Sequence, residues 1–158
     1  MRDIPTTNFA KLLGVIAAAI AGVGLFAPGI VHAEEDSTTR RYALIVANND
    51  SVDTDVEPLE YADDDGARYF ELFASFADET RLLTTLDSES QRIFPEIARQ
   101  TVPPTRPELD RAVRELASDI TQARQNGHDT ELYLVFTGHG DVDETGEGYL
   151  SLGNSKLY

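Results

Sequence analysis

At 158 residues, the chain is long enough for one domain with a substantial core and too short for two comfortable ones. Its formal net charge of −15, from 28 acidic against 13 basic residues, repels polyanions and makes nucleic acid and anionic membrane surfaces poor partners; the acidic field either draws in a cationic substrate or keeps the surface soluble. With no cysteine, the chain forms no disulfide and offers no thiol chemistry, so the fold must rest on its hydrophobic core.

Met1 to Lys11 carries Arg2 and Lys11, and Leu12 to Phe26 (LLGVIAAAIAGVGLF) is uncharged and apolar. Pro28 and the small-residue pattern Val31-His32-Ala33 follow. This three-part layout predicts a secretory signal peptide over residues 1–33, cleaved after Ala33, and an exported domain, periplasmic or extracellular. The apolar run is short for a spanning helix of about 20 residues, so membrane attachment is expected only if the leader stays uncleaved. Removal of the leader takes away Arg2, Lys11 and Asp3 and leaves the chain one charge more acidic. Residues 34–41 read as a polar, flexible lead, and 42–158 as the globular domain.

Tyr42 to Ala47 (YALIVA) is a continuous apolar run ended by Asn48-Asn49-Asp50, the pattern of a strand buried on both faces. A polar loop extends to Leu59. Asp63, Asp64 and Asp65 precede a helical stripe of Ala67, Phe70, Phe73, Ala74 and Ala77, and acidic residues in a first turn favour the helix dipole. Leu82 to Leu86 (LLTTL) reads as a second strand ending at Asp87. Ser88 to Val102 reads as a partly ordered connection, since Pro95 interrupts the apolar positions Ile93, Phe94, Ile97 and Ala98. Thr105 with Glu108 is a capping-box signature after Pro103-Pro104. Leu109, Ala112, Val113, Leu116, Ile120 and Ala123 then give the clearest helical face in the chain, stopped at Asn126-Gly127. Within Glu131 to Gly140, Leu132 to Phe136 (LYLVF) reads as a buried third strand that runs into Thr137-Gly138-His139-Gly140. An acidic turn over Asp141 to Gly148 leads to a short strand, Tyr149 to Leu152.

The order strand, helix, strand, helix, strand, with helix-length connections, predicts an α/β fold with a mainly parallel sheet covered by helices. Ligands and catalytic groups in such sheets collect at the carboxyl ends of the strands. Asn48, the Asp63 to Asp65 cluster, Asp87 and His139 are therefore expected on one edge. His32 lies in the leader and His128 in a Gly-His-Asp turn, which leaves His139 as the histidine with a positional argument. Its flanking glycines leave room for close approach of a substrate, and the Gly140 amide can face a developing oxyanion. Spacing alone leaves open the alternative of a turn histidine between two glycines. Asp141-Val142-Asp143-Glu144-Thr145-Gly146 opens like a calcium loop, but the twelfth position, where a bidentate glutamate is needed, is Leu152. The segment is read as an acidic turn and no metal ligands are assigned.

Taken in order, YALIVANND, LEYADDDGARYF, RLLTTLD, a proline-capped helix, LYLVFTGHGD and GEGYLSL resemble the caspase and metacaspase family of cysteine endopeptidases, specifically its bacterial caspase-like members. The resemblance covers Tyr42 to Leu152. It implies a three-layer α/β/α caspase-like (flavodoxin-like) fold and catalysis by a His-Cys dyad. Gly138-His139-Gly140 matches the family's Ser/Gly-His-Gly motif. The resemblance thus implies His139 as general base towards the thiol and acid towards the leaving amine, with Gly140 as an oxyanion amide. It further implies an acidic pocket for arginine or lysine before the cleaved bond. Asp64-Asp65-Gly66 aligns with the family's Asn/Asp-Asp-Ala pattern, which makes Asp65 the first choice for that contact, with Asp64 and Asp63 behind it. Helix capping and dipole charge are the alternative for each of the three.

The implied partners are proteins or peptides with basic residues. No cofactor is expected, although some metacaspases respond to calcium and a looser calcium site stays open. One departure stands out: the family's nucleophilic cysteine follows the next main strand, and none of these residues is a cysteine. The expectation is the amino-terminal portion of an active peptidase with an incomplete sheet, since an exposed sheet edge is a liability in a finished domain. The alternative is a catalytically inactive, exported acidic interaction domain.

Overall fold

The computed structural model describes residues 38–158; the expected leader over 1–33 and residues 34–37 of the lead lie outside the described residues. The elements in chain order are β1 (Arg40–Ala47), α1 (Ala62–Ala74), β2 (Glu79–Leu83), α2 (Ser88–Ile93), α3 (Pro95–Ala98), α4 (Arg106–Gln125), β3 (Thr130–Thr137), β4 (Gly140–Val142), β5 (Gly148–Ser151) and β6 (Lys156–Leu157). β1 lies between β2 and β3 and runs parallel to both, with Val46 opposite Leu83 on one side and Phe136 on the other. β4, β5 and β6 form a separate small antiparallel sheet. Among the described residues, no helix is long and apolar enough to cross a membrane.

The continuous apolar run of β1 is explained by burial on both faces. Its side chains alternate between two cores. Tyr42, Leu44 and Val46 pack with Leu109, Ala112, Leu116 and Ala123 of α4. Ala43, Ile45 and Ala47 pack with Ala67 and Phe73 of α1. The sheet therefore has a helix on each face. Phe73 also reaches across to Tyr133 of β3, with ring centroids 5.2 Å apart. Gly66 lets α1 come down onto the end of β1, because a Cβ at that position would lie 2.3 Å from the Ala47 Cβ.

Several sequence expectations are corrected. β1 begins at Arg40, inside the expected lead, because the Arg40 N–H donates to the Asp129 carbonyl at 2.8 Å and Arg41 pairs with Glu131. α1 ends at Ala74, short of Ala77. β2 sits three residues earlier than expected; Thr84 leaves the ladder when its N–H turns to the Val102 carbonyl, although Leu86 stays buried. The connection after Asp87 is ordered into two short helices. Asp87 caps α2 by accepting from the Glu89 and Ser90 N–H groups, and Pro95 opens α3, where its missing N–H costs nothing. The capping box does not form: Thr105 holds the N-cap position without a side-chain bond, and Glu108 pairs with Arg111. Pro107 removes one of the two N–H groups that the threonine could cap. Asn154 instead accepts from the Arg106 N–H at 3.3 Å.

The largest correction concerns β3. Leu132 and Leu134 are 47% and 69% exposed, and Val113 of α4 is 49% exposed. β3 is the outer strand, and the α4 core is centred on β1. An apolar groove of about 510 Å³, lined by Leu109, Val113, Leu134, Phe136 and Leu157 among others, runs between α4 and the β3 edge.

A candidate active site at the carboxyl edge of the sheet

The chain leaves β1 towards β2 and later returns on the other side of β1 as β3, with α1 and α4 on opposite faces. The carboxyl ends of β1 and β3 thus border the crevice at which parallel α/β sheets bind their ligands. The loop after β1 and the Gly138-His139-Gly140 turn after β3 meet there. The Asn48 N–H donates to the Thr137 carbonyl at 3.0 Å, which joins the two strand ends. Gly138 is required at the junction, since a Cβ would lie 2.9 Å from the Asn48 carbonyl oxygen.

His139 is half-buried, and its Nε2 is enclosed with no hydrogen-bond partner among the described residues. A buried imidazole nitrogen without a partner is costly in a purely structural side chain. It lines a cavity of about 50 Å³ with Ser51, Asp53, Val56, Gly140, Asp141, Tyr149 and Ser151. The His139 carbonyl accepts from the Ser151 N–H at 2.8 Å, and the Asp143 N–H donates to the Glu147 carbonyl at 2.9 Å. Hydrogen-bonded and non-hydrogen-bonded pairs alternate along an antiparallel ladder. Gly140, paired with Leu150 between those two points, therefore turns its N–H away from β5. The amide is free to serve as a donor beside the imidazole.

The three adjacent aspartates have three different environments. Asp63 is fully buried, and its carboxylate accepts from Asn49 Nδ2 at 2.8 Å and from the Asp87 N–H at 2.9 Å. Its own N–H returns to Asn49 Oδ1 at 3.1 Å. Asp64 is half-buried and accepts from the Ser90 hydroxyl at 2.7 Å. Asp65 is exposed, and its carboxylate makes no hydrogen bond or ion pair among the described residues. Asn48, Asp63, Asp87 and His139 do share one edge, linked through Asn49 and Ser151.

His128 lies away from this edge, in the turn that leads into β3, with Nδ1 3.0 Å from the Thr38 hydroxyl. The acidic turn expected over Asp141 to Gly148 is shorter: Asp141 and Val142 belong to β4 and Gly148 to β5, which leaves residues 143–147 as the connection of the β4–β5 hairpin. One Asp143 oxygen accepts from the Thr145 N–H, the Thr145 hydroxyl and the Glu147 N–H. That oxygen cannot ligate a cation without undoing the turn.

Sequence reasoning missed Asp53, Tyr149, Ser151 and Lys156. Tyr149 and Ser151 are the buried residues of β5, and alternation along GYLS is the signal that could have found them. The Tyr149 hydroxyl donates to Asp53, Lys156 Nζ lies 3.0 Å from the other Asp53 oxygen, and the same ammonium sits 4.0 Å from the Tyr149 ring centroid. The Tyr149 hydroxyl first, and Lys156 second, hold the Asp53 carboxyl below the usual carboxylate range. Asp53 raises the pKa values of Tyr149 and Lys156 in return.

A carboxylate with a lowered folded pKa contributes stability that is present above its unfolded value of about 3.9 and lost as pH falls through the folded value. Asp78, bound by the Arg41 N–H and Arg40, and Asp87, bound by the Ser90 N–H, act in the same direction as Asp53. Thermal melts are expected to show a Tm that declines with acid below about pH 4, with a shallower decline in Asp53→Asn. An equal acid slope in the two proteins would count against the Asp53 contribution.

No family model, curated protein or solved structure matches the chain.

Proposed function

We propose that this chain is the base-bearing portion of a caspase-like cysteine endopeptidase, exported by its leader, and that the thiol nucleophile comes from outside these residues. The observation that carries the reading is His139. It stands between two glycines at the crevice of a parallel sheet, with one nitrogen enclosed and the free Gly140 amide beside it. The helix-covered parallel sheet supports a caspase-like fold. His139 takes the proton of an incoming thiol, the thiolate attacks the peptide carbonyl, and the imidazolium returns the proton to the leaving amine. The Gly140 N–H donates to the oxyanion.

Asp65 is the aspartate free to pair with a guanidinium or ammonium in the substrate, and a net charge of −15 favours cationic peptides. The absence of cysteine from these residues favours a second reading, an inactive acidic binding domain. A panel of fluorogenic peptides with Arg, Lys or Asp before the reporter separates the two. The chain alone is expected to turn over none of them. The polypeptide that supplies the thiol is expected to cleave after Arg and Lys, to lose activity to iodoacetamide, and to lose about tenfold in kcat/KM as Asp65→Asn, the scale of one charge contact. Cleavage after Asp would refute the basic specificity, and no cleavage at all would favour the binding domain.

A further inference from the structure

Histidines in working sites are commonly oriented by a hydrogen bond from the second ring nitrogen. His139 Nε2 has no such partner, so the walls of its small cavity must hold the ring. Two of the lining residues, Tyr149 and Ser151, belong to β5 and three, Ser51, Asp53 and Val56, to the loop after β1, and two fastenings join these segments.

The first is Ser151, which is completely buried and has its N–H, hydroxyl and carbonyl all engaged. Its N–H holds the His139 carbonyl at 2.8 Å. Its hydroxyl accepts from the Val52 N–H at 2.6 Å, and its carbonyl accepts from Asn48 Nδ2 at 3.2 Å. The second is the cluster of Asp53, Tyr149 and Lys156. Tyr149 and Ser151 share the inward face of β5, and Val52 and Asp53 are consecutive in the loop. The two fastenings therefore sit side by side and draw one loop onto one strand across His139.

We propose that Ser151 and the Asp53–Tyr149–Lys156 cluster position His139, fixing the imidazole by closing the loop after β1 against β5. The inference rests on the peptidase reading for its purpose, and on the geometry alone for its content. None of the four residues need touch a substrate. The contacts engage charged groups that are only part-buried, and Lys156 shares its charge between the Asp53 carboxylate and the face of Tyr149. Removing either the Asp53 charge or the Tyr149 hydroxyl undoes the second fastening and loosens the loop without opening a cavity in the core.

The test is the side-chain conformation of His139 in the full chain, read by NMR after selective histidine labelling. In the unaltered chain the two Hα–Hβ couplings of His139 are expected to take the limiting values of a single staggered rotamer, each clearly large or clearly small. In Asp53→Asn and in Tyr149→Phe they are expected to move to intermediate values as rotamers average. Lys156→Arg, which keeps the charge and the ring contact, is expected to retain the limiting values. His128 is remote from the cluster and should not change in any variant. Limiting couplings that persist in folded Asp53→Asn and Tyr149→Phe would overturn the proposal, as would intermediate couplings in the unaltered chain. Tyr149→Phe keeps the buried ring, so its fold is the safer of the two. Cleavage is not read in this experiment, so failure of the peptidase reading would show in the peptide panel and not here.

Discussion

Replacing Gly66 with alanine is expected to destabilise the protein by about 3 kcal/mol, the upper end of the range for overpacking. The added Cβ would lie 2.3 Å from the Ala47 Cβ, closer than any two carbons pack. Neither partner can swing away, because one belongs to the first turns of α1 and the other to the last residue of β1. Relief requires the helix to lift from the sheet, and the helix carries Asp63, Asp64 and Asp65 at its start. Urea unfolding measures the loss directly. The double variant Gly66→Ala with Ala47→Gly is expected to recover part of it, since it removes the colliding methyl. An unchanged midpoint for Gly66→Ala alone would show that α1 does not pack on β1 in this way.

Asp63→Ala is expected to cost about as much by a different route. The substitution leaves Asn49 Nδ2 and the Asp87 N–H, two part-buried donors that meet at the buried carboxylate, without their acceptor. An unsatisfied buried donor costs roughly 1–3 kcal/mol. Asp63→Asn should fall between, because an amide offers one acceptor oxygen and turns its N–H groups towards the second donor. Unfolding curves would rank the three proteins. Hydrogen exchange adds a local readout: the Asp87 amide should lose protection in both variants while β1 amides follow only global stability. Equal stability of all three proteins would contradict a structural role for Asp63.

The different fates of Asp63 and Asp65 mark the limit of what the sequence could disclose. Three consecutive aspartates are chemically identical in a string of letters. About 100° of helical rotation per residue turns the first into the core, the second to Ser90 and the third to solvent. β1 and α4 were legible because each carries a long periodic signal, a run of apolar residues in one and a three-and-four spacing in the other. β3 was legible as a strand and not as an edge. LYLVF has the same pattern whether or not a helix covers it, and strand order is a property of the tertiary structure.

The capping box of α4 does not form although Thr105 occupies the N-cap, and the Arg106 N–H goes instead to Asn154, a partner far along the chain. His139 was legible by position, at the end of a strand between glycines. The Asp53–Tyr149–Lys156 cluster was not, because its members come together only when the hairpin folds back over the loop after β1. The fold class and the carboxyl edge of the sheet thus follow from local patterns, while the residues that hold the edge together follow from contacts between distant segments.

The central claim is that His139 is the base for a thiol that these residues do not carry. Its most direct measurement is kcat/KM on Arg- and Lys-containing peptides for the polypeptide that supplies that thiol, with His139 intact and as His139→Ala, the fold of both checked by circular dichroism. A loss of about a thousandfold, in the range for removal of a general base, is the predicted result. Turnover within a few-fold of the unaltered protein, in a folded His139→Ala variant, would contradict it.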